Sequence, residues 1–290
     1  MSSKILIILA CVPLYVVNSF CDKYISSQDG NKNNVLYNGI KFLICSIILL
    51  PMALMDNAPK FSFGTVFCGV ACGVMYAVSK TVMLKGYETT SVAFMTLCHS
   101  SGMIIPCILG HFLWAEKLTI ISMCGIGITI IAILLLKDSK KSERPFGRIG
   151  VLFGAVIFLT SAGVMITQKV MGIYFADESI ALYNFYSFFV PALILRLLIK
   201  PTGLKNRNKK QKTVIGICAL GSAVSLAIIG FVMTGLASSV PSVILFPLFN
   251  GLGIIAVCIG SVFAFKEKLS KQNVVGLILG VLGLYIINLQ

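Results

Sequence analysis

The chain runs in long apolar blocks broken by short polar seams, with neither strand-like alternation nor the mixed pattern of a soluble domain. Blocks of about 20 apolar residues are long enough to cross a hydrocarbon core of about 30 Å as helices. Ten such blocks are legible, at about 4–24, 35–55, 62–85, 89–114, 118–136, 148–170, 178–199, 213–235, 240–265 and 269–288. A spanning segment must satisfy its own backbone in lipid, so these blocks predict an all-α integral membrane protein with ten transmembrane helices. The first block has one lysine ahead of it and no small-residue cleavage site, so it reads as a span and not a removable signal.

Two stretches 151 residues apart are near copies. Ser91–Gly125 lies over Ser242–Gly276 without a gap, with 12 identities in 35 positions, among them Gly102/Gly253, Cys107/Cys258, Glu116/Glu267, Lys117/Lys268 and Gly125/Gly276. The chain is therefore an internal duplication: a first repeat over 1–137, a basic connector over 138–147 and a second repeat over 148–290. Five spans per repeat is an odd number, so the copies enter the membrane from opposite sides, which predicts two five-helix inverted-topology repeats. Asp22-Lys23 closes the first span, and Gln168-Lys169 stands in the matching place in the sixth.

The seam Glu116-Lys117-Leu118-Thr119 recurs as Glu267-Lys268-Leu269-Ser270. Thr119 and Ser270 are suited to N-cap the helix that follows. A glutamate just ahead of that start meets the positive end of the helix dipole. A capping turn and a direct part in transport are both compatible with this pattern. Gly69-x-x-x-Gly73 and Gly276-x-x-x-Gly280, followed by Gly283, are spacings that let helix backbones approach closely in lipid. The ten cysteines fall within or near spans, and Cys68 and Cys72, which share a helix face, have no His, Asp or Glu beside them as a further ligand, so the cysteines read as packing residues; no metal site and no cofactor is expected.

Composition sharpens the class. The mean hydropathy is +0.95, with 57% hydrophobic and only 12% charged residues. A soluble domain carries about 25% charged residues, so that class is excluded. The net charge of +14 does not point to nucleic acid, because 12 of the 24 basic residues sit in two connectors, from Lys137 to Arg148 and from Arg196 to Lys212. Charge placed there faces lipid headgroups and fixes topology. The Lys/Arg bias puts both termini on the outer side of the membrane.

Ten spans as five plus five, the runs Leu84-Lys85-Gly86-Tyr87 and Thr90-Ser91-Val92-Ala93, Pro106, and the helix-end Glu116-Lys117 followed by Gly125 together resemble the drug/metabolite transporter superfamily, EamA type. Glu267-Lys268 and Gly276 repeat the signature. The resemblance implies a multi-pass protein of the plasma or inner membrane, without cofactor, moving a small solute. Its cavity would be lined by spans three and four of one repeat and eight and nine of the other. Relatives in this superfamily are commonly assigned cytoplasmic termini, against this chain's own charges. The second repeat has Val257 where the first has Pro106, so the two halves of such a cavity differ in shape.

Polar groups at membrane depth are costly and usually face a bundle interior or a cavity. His99 lies mid-span, and its repeat mate is Asn250. These two form the leading substrate-binding pair, with an interhelical hydrogen bond as the alternative for His99. Tyr76, Ser79 and Lys80 in span three are further candidates. Lys80 is suited either to an anionic substrate group or to snorkelling to the interface. Tyr183 and Asn184 in span seven and Asn18 in span one complete the set. The spans hold almost no Asp or Glu, so neither a carboxylate proton relay nor an intramembrane enzyme's metal set is expected, and no nucleotide-binding loop is present. The leading function is a non-enzymatic secondary transporter of a small organic metabolite or drug-like solute, amino-acid export included, by alternating access. An intramembrane enzyme or a lipid-handling protein is the alternative. Oligomeric state and substrate are not legible.

Overall fold

The computed structural model describes residues 2–29, 31–56, 62–89, 92–135, 148–198, 209–265 and 271–287. These form α1 (Ser2–Asp29), α2 (Asn31–Met55), α3 (Phe63–Thr89), α4 (Val92–Ser101), α5 (Ile104–Leu113), α6 (Ile120–Leu135), α7 (Arg148–Tyr174), α8 (Ile180–Leu198), α9 (Lys209–Ala237), α10 (Ser242–Phe265) and α11 (Lys271–Ile287). Among the described residues seven helices are long and apolar enough to cross a membrane, and three shorter apolar stretches, Cys98–Leu113, Ile120–Ala132 and Val274–Ile287, bring the total to ten. The all-α membrane architecture is as the apolar blocks predict. Large apolar side chains stay exposed along the helices, Phe63, Leu193, Leu197 and Ile120 among them, as lipid-facing surfaces require.

One block departs from the sequence reading. The stretch 89–114 was expected as a single span, but the helix is interrupted at Gly102-Met103, leaving α4 and α5. Pro106 is the physical cause: it has no amide to donate and its ring crowds the carbonyl four residues back, which belongs to Gly102. The chain answers with tighter bonds, from Gly102 N–H to the His99 carbonyl (3.3 Å) and from Ile105 N–H to the Gly102 carbonyl (3.3 Å). The Ser161 hydroxyl also donates to the His99 carbonyl, at 2.7 Å. The repeat mate α10, with Val257 in place of proline, runs unbroken from Ser242 to Phe265. The two copies do differ in shape at this place.

Contacts divide the helices into two compact units, and neither coincides with one half of the chain. One comprises 1–16, 85–166 and 239–290; the other comprises 17–84 and 167–238. In the first unit α6 packs along α11. Backbone meets backbone there: a Cβ on Gly283 would lie 2.9 Å from the Thr129 nitrogen, and one on Gly125 would lie 3.0 Å from the Gly283 carbonyl oxygen. Gly125, part of the repeated signature, thus has a packing role, and its repeat mate Gly276 is also buried. In the second unit α2 packs on α8 and α9 through Phe42, Cys45, Leu49, Phe188, Ala192, Leu195, Ala223 and Ala227. Here α3 approaches α8 at the predicted glycine pair. A Cβ on Gly69 would meet the Tyr183 carbonyl at 2.9 Å, and one on Gly73 would meet the Tyr186 carbonyl at 3.1 Å.

Helix starts are capped within each unit. Thr119 Oγ1 accepts from the Ser122 N–H at 3.2 Å, so Thr119 N-caps α6 as expected. Glu116 reaches a different helix. Its carboxylate accepts the backbone N–H of Ser242, the first residue of α10, at 2.7 Å (Oε2), with the Ser242 hydroxyl 3.4 Å from Oε1. The turn that aims it passes through Ala115 at φ +50° and ties the Glu116 N–H to the Gly110 carbonyl at 3.0 Å. Lys117 points to the exterior, and Glu267 and Lys268 lie outside the described residues.

The second unit has an equivalent device at Glu178, between α7 and α8. Its carboxylate accepts from the Ser62 hydroxyl, the Thr65 hydroxyl and the Thr65 N–H (2.9 Å) at the start of α3. Burial pushes the Glu178 carboxyl up, but those three hydrogen bonds to its charged form outweigh it and leave the group below the usual carboxylate range.

Candidate solute-binding site

The strongest concentration of polar groups at membrane depth lies in the second unit, on α1, α2 and α3. Asp22 was expected to close the first span. Instead α1 continues to Asp29, and Asp22 falls inside the apolar window 3–25. Its Oδ1 accepts two hydrogen bonds, from Lys41 Nζ and from the Tyr37 hydroxyl, each at 2.8 Å. Lys41 is 1% exposed and Tyr37 1% exposed, whereas the Asp22 side chain is 31% exposed. Lys41 also sits over the Tyr37 ring (5.0 Å to the centroid) and near the Phe42 ring (5.8 Å), contacts that favour a desolvated cation. An ion pair, a phenol and two ring faces thus hold an ammonium inside the membrane. Asp22 is one of the few carboxylates within the apolar blocks, and it stands at membrane depth with a lysine as its partner.

Lys80 belongs to the same group. It is half-buried on α3 and within electrostatic reach of both Asp22 and Lys41. Tyr76, one turn earlier on α3, packs its ring against Phe42 and Phe188, at 5.8 Å from each. On the other flank the Ser222 hydroxyl of α9 donates to Asn18 Oδ1. Asn18, Tyr76 and Lys80 are thereby brought around one charged centre, together with Asp22, Tyr37, Lys41 and Ser222, which the sequence reading did not single out. Lys41 had a legible signal: a lysine six residues into the second apolar block, well away from either end.

The remaining candidates are placed differently. Ser79 is buried. Tyr183 is fully buried and its hydroxyl donates to Thr167 Oγ1 at 3.2 Å. Asn184 is 1% exposed; its Nδ2 donates to the Ile180 carbonyl (2.9 Å) and to Thr234 Oγ1 on α9 (3.4 Å). Tyr183 and Asn184 hold helices together in this conformation. His99 and Asn250 both lie in the first unit. His99 is half-buried at the end of α4, directly ahead of the helix break, and Asn250 is buried in α10 with its Nδ2 on the Phe246 carbonyl at 2.9 Å. One turn from Asn250, Gly253 gives room to the ring of Tyr15, which a Cβ there would meet at 2.8 Å, and Tyr15 packs edge-on against Phe249 at 5.5 Å.

Comparison with known proteins gives a consistent class. Residues 2–137 match the EamA-like transporter family. An uncharacterized transporter of Clostridium kluyveri is 27% identical over 175 residues, which are 57% of this chain and 54% of that protein. The match therefore spans about half the length of that relative. A protein of known crystal structure shares the fold at a TM-score of 0.78 with 12% sequence identity, covering 99% of this chain and 98% of that one. The first half of the chain is thus similar to a transporter family, and the fold as a whole is shared with a protein of known structure.

Proposed function

We propose that this chain, whose first half is an EamA-type transporter domain of the drug/metabolite superfamily, is a secondary carrier of a small organic solute that works by alternating access of two inverted repeats. The observation that carries the reading is the charged centre of Asp22, Lys41 and Lys80 within membrane-spanning helices. Ionised groups at that depth are costly, and intramembrane charges commonly mark solute or ion pathways. The broken α4–α5 segment supports the same reading, since discontinuous helices are where repeat-built carriers present backbone and polar groups to their cargo.

His99 and Asn250, both in the first unit, are the candidate substrate-binding pair under this reading. They are repeat mates 151 positions apart, on helices that the family resemblance places beside the cavity. The domain boundaries at 137 and 148 mark the two repeats that exchange access. His99→Ala and Asn250→Ala should each lower transport at least tenfold, about 1.4 kcal/mol, in protein that inserts and folds normally. Uptake into proteoliposomes, normalised to folded protein, is the assay. Loss of thermal stability with unchanged uptake per folded molecule would assign both residues to packing instead.

A further inference from the structure

The seam between α1 and α9 in the second unit carries two cysteines, Cys21 and Cys218, that the charged centre does not use. The helices run antiparallel along it. Ser222 of α9 donates to Oδ1 of Asn18 on α1. Further along, Ile25 of α1 and Ile215 of α9 share one core cluster with Tyr37 and Ala219. Residue numbers therefore rise on one helix as they fall on the other, and Cys21 and Cys218 lie between these two anchors. Both cysteine side chains pack on that same cluster. The Sγ of Cys21 stands against Gly221, 4.0 Å from where a Cβ would be, and no other atom comes within that distance. Gly221 and Cys218, three residues apart, are neighbours on one face of α9. The two thiols hydrogen-bond to each other. Each is half-buried, in contrast to Cys45, Cys68 and Cys72 in the same unit, which are buried.

We propose that Cys21 and Cys218 form a redox-modification site, in which a peroxide-class oxidant converts the two thiols into a disulfide that staples α1 to α9 next to Asp22. The step balances with one hydrogen peroxide. One thiol gives up its proton and its sulfur attacks a peroxide oxygen; the O–O bond breaks, a sulfenic acid forms and a water leaves. The second thiol's sulfur then attacks the sulfenic sulfur, the S–O bond breaks, the S–S bond forms and a second water leaves. The two sulfurs together lose two electrons, and the peroxide is reduced to two waters. Hydrogen peroxide is small and uncharged, so it reaches a half-buried pair. The bare face of Gly221 leaves room for the sulfurs to turn towards each other and close to bonding distance. A thiol reductant reverses the bond by exchange. Cys21 lies in the first repeat and Cys218 in the second, so the staple ties the two halves of the chain together. Asp22, the partner of Lys41, follows Cys21 directly and is fixed with it. Arrest of solute movement is the consequence, and that consequence alone rests on the carrier reading.

The test uses the full-length protein in detergent micelles, exposed to graded hydrogen peroxide, blocked with iodoacetamide and digested without reduction. Mass spectrometry should find the peptide pair joined through Cys21 and Cys218 as the most abundant cysteine cross-link, and dithiothreitol should remove it. The unfolding midpoint is read before and after dithiothreitol, so that only the reversible part of any change is counted. Oxidation should raise it by roughly 4 °C or more, the scale of a cross-link that constrains the unfolded chain. Cys21→Ala and Cys218→Ala should each lose both the linked species and the reversible rise. Cys124→Ala, which removes an exposed thiol elsewhere, should keep both. The inference is overturned if Cys21 and Cys218 are recovered as separate blocked thiols while other cysteines cross-link. It is equally overturned if the link forms without a reversible rise, or if the rise survives either single variant. The mass measurement on unaltered protein decides the chemistry even where a variant folds poorly. None of these readouts involves transport, so their failure would leave the carrier reading standing.

Discussion

Breaking the Asp22–Lys41 pair from one side should be among the most damaging single changes available in the second unit. The contact is short, 2.8 Å, and the lysine is sealed at 1% exposure, so water cannot replace the lost partner. Asp22→Asn keeps the size and one acceptor for Tyr37 but removes the charge that offsets two ammonium groups. Removing one member of a buried pair costs about 3–5 kcal/mol, because the other charge is left uncompensated. The Tyr37 ring 5.0 Å away returns only about 0.5–2 kcal/mol of that. Lys41→Met removes the buried cation and costs less than Asp22→Asn, since the 31% exposed aspartate keeps contact with its surroundings and with Lys80. The double variant Asp22→Leu/Lys41→Met, apolar on both sides, should recover most of the loss, as buried pairs replaced by apolar groups are often neutral or better. Reversible unfolding in mixed micelles, run as a double-mutant cycle, reads this directly: the coupling energy should exceed about 2 kcal/mol. Additive single effects, or a loss below about 1 kcal/mol for Asp22→Asn, would refute the claim that the pair is desolvated and interdependent.

The two trans-acting helix caps offer independent checks. Glu116→Ala should destabilise the first unit by about 1–2 kcal/mol, the scale of a lost N-cap, with Glu116→Gln costing roughly half of that, and protease cleavage near the start of α10 should rise in step. Glu178 makes a pH-dependent contribution whose sign follows from its lowered folded-state value. Its stabilisation is present above the ordinary carboxylate pKa and is lost as pH falls through the lower folded value, so melting curves of Glu178→Gln should lose that acid-side dependence while unaltered protein keeps it.

What the sequence could and could not reveal follows from the range of each interaction. Helices, the Thr119 cap and the close approach at Gly69 and Gly73 depend on local spacing, so they were legible as soon as the apolar blocks were. Proline at 106 against valine at 257 was legible as an asymmetry, but that it would split a span into α4 and α5 depended on how Ser161 satisfies the His99 carbonyl from another helix. The Ser242 partner of Glu116 lies 126 residues away, beyond the reach of local dipole reasoning. Asp22 was read as a span end because hydropathy falls there, yet α1 continues past it once Lys41 and Tyr37 neutralise the cost of burying it. The two units, each drawn from both halves of the chain, are likewise a property of three-dimensional contact that no linear pattern carries.

The central claim is that the protein carries a small solute across the membrane by alternating exposure of one site, and trans-stimulated exchange tests it most directly. Purified protein is reconstituted into liposomes loaded with unlabelled solute, taken from whichever compound raises the unfolding midpoint, and uptake of labelled solute is followed against empty liposomes. A carrier predicts saturable uptake that overshoots in loaded vesicles and falls at least tenfold in His99→Ala. Uptake that rises linearly with concentration, or that is indifferent to internal solute, would contradict alternating access.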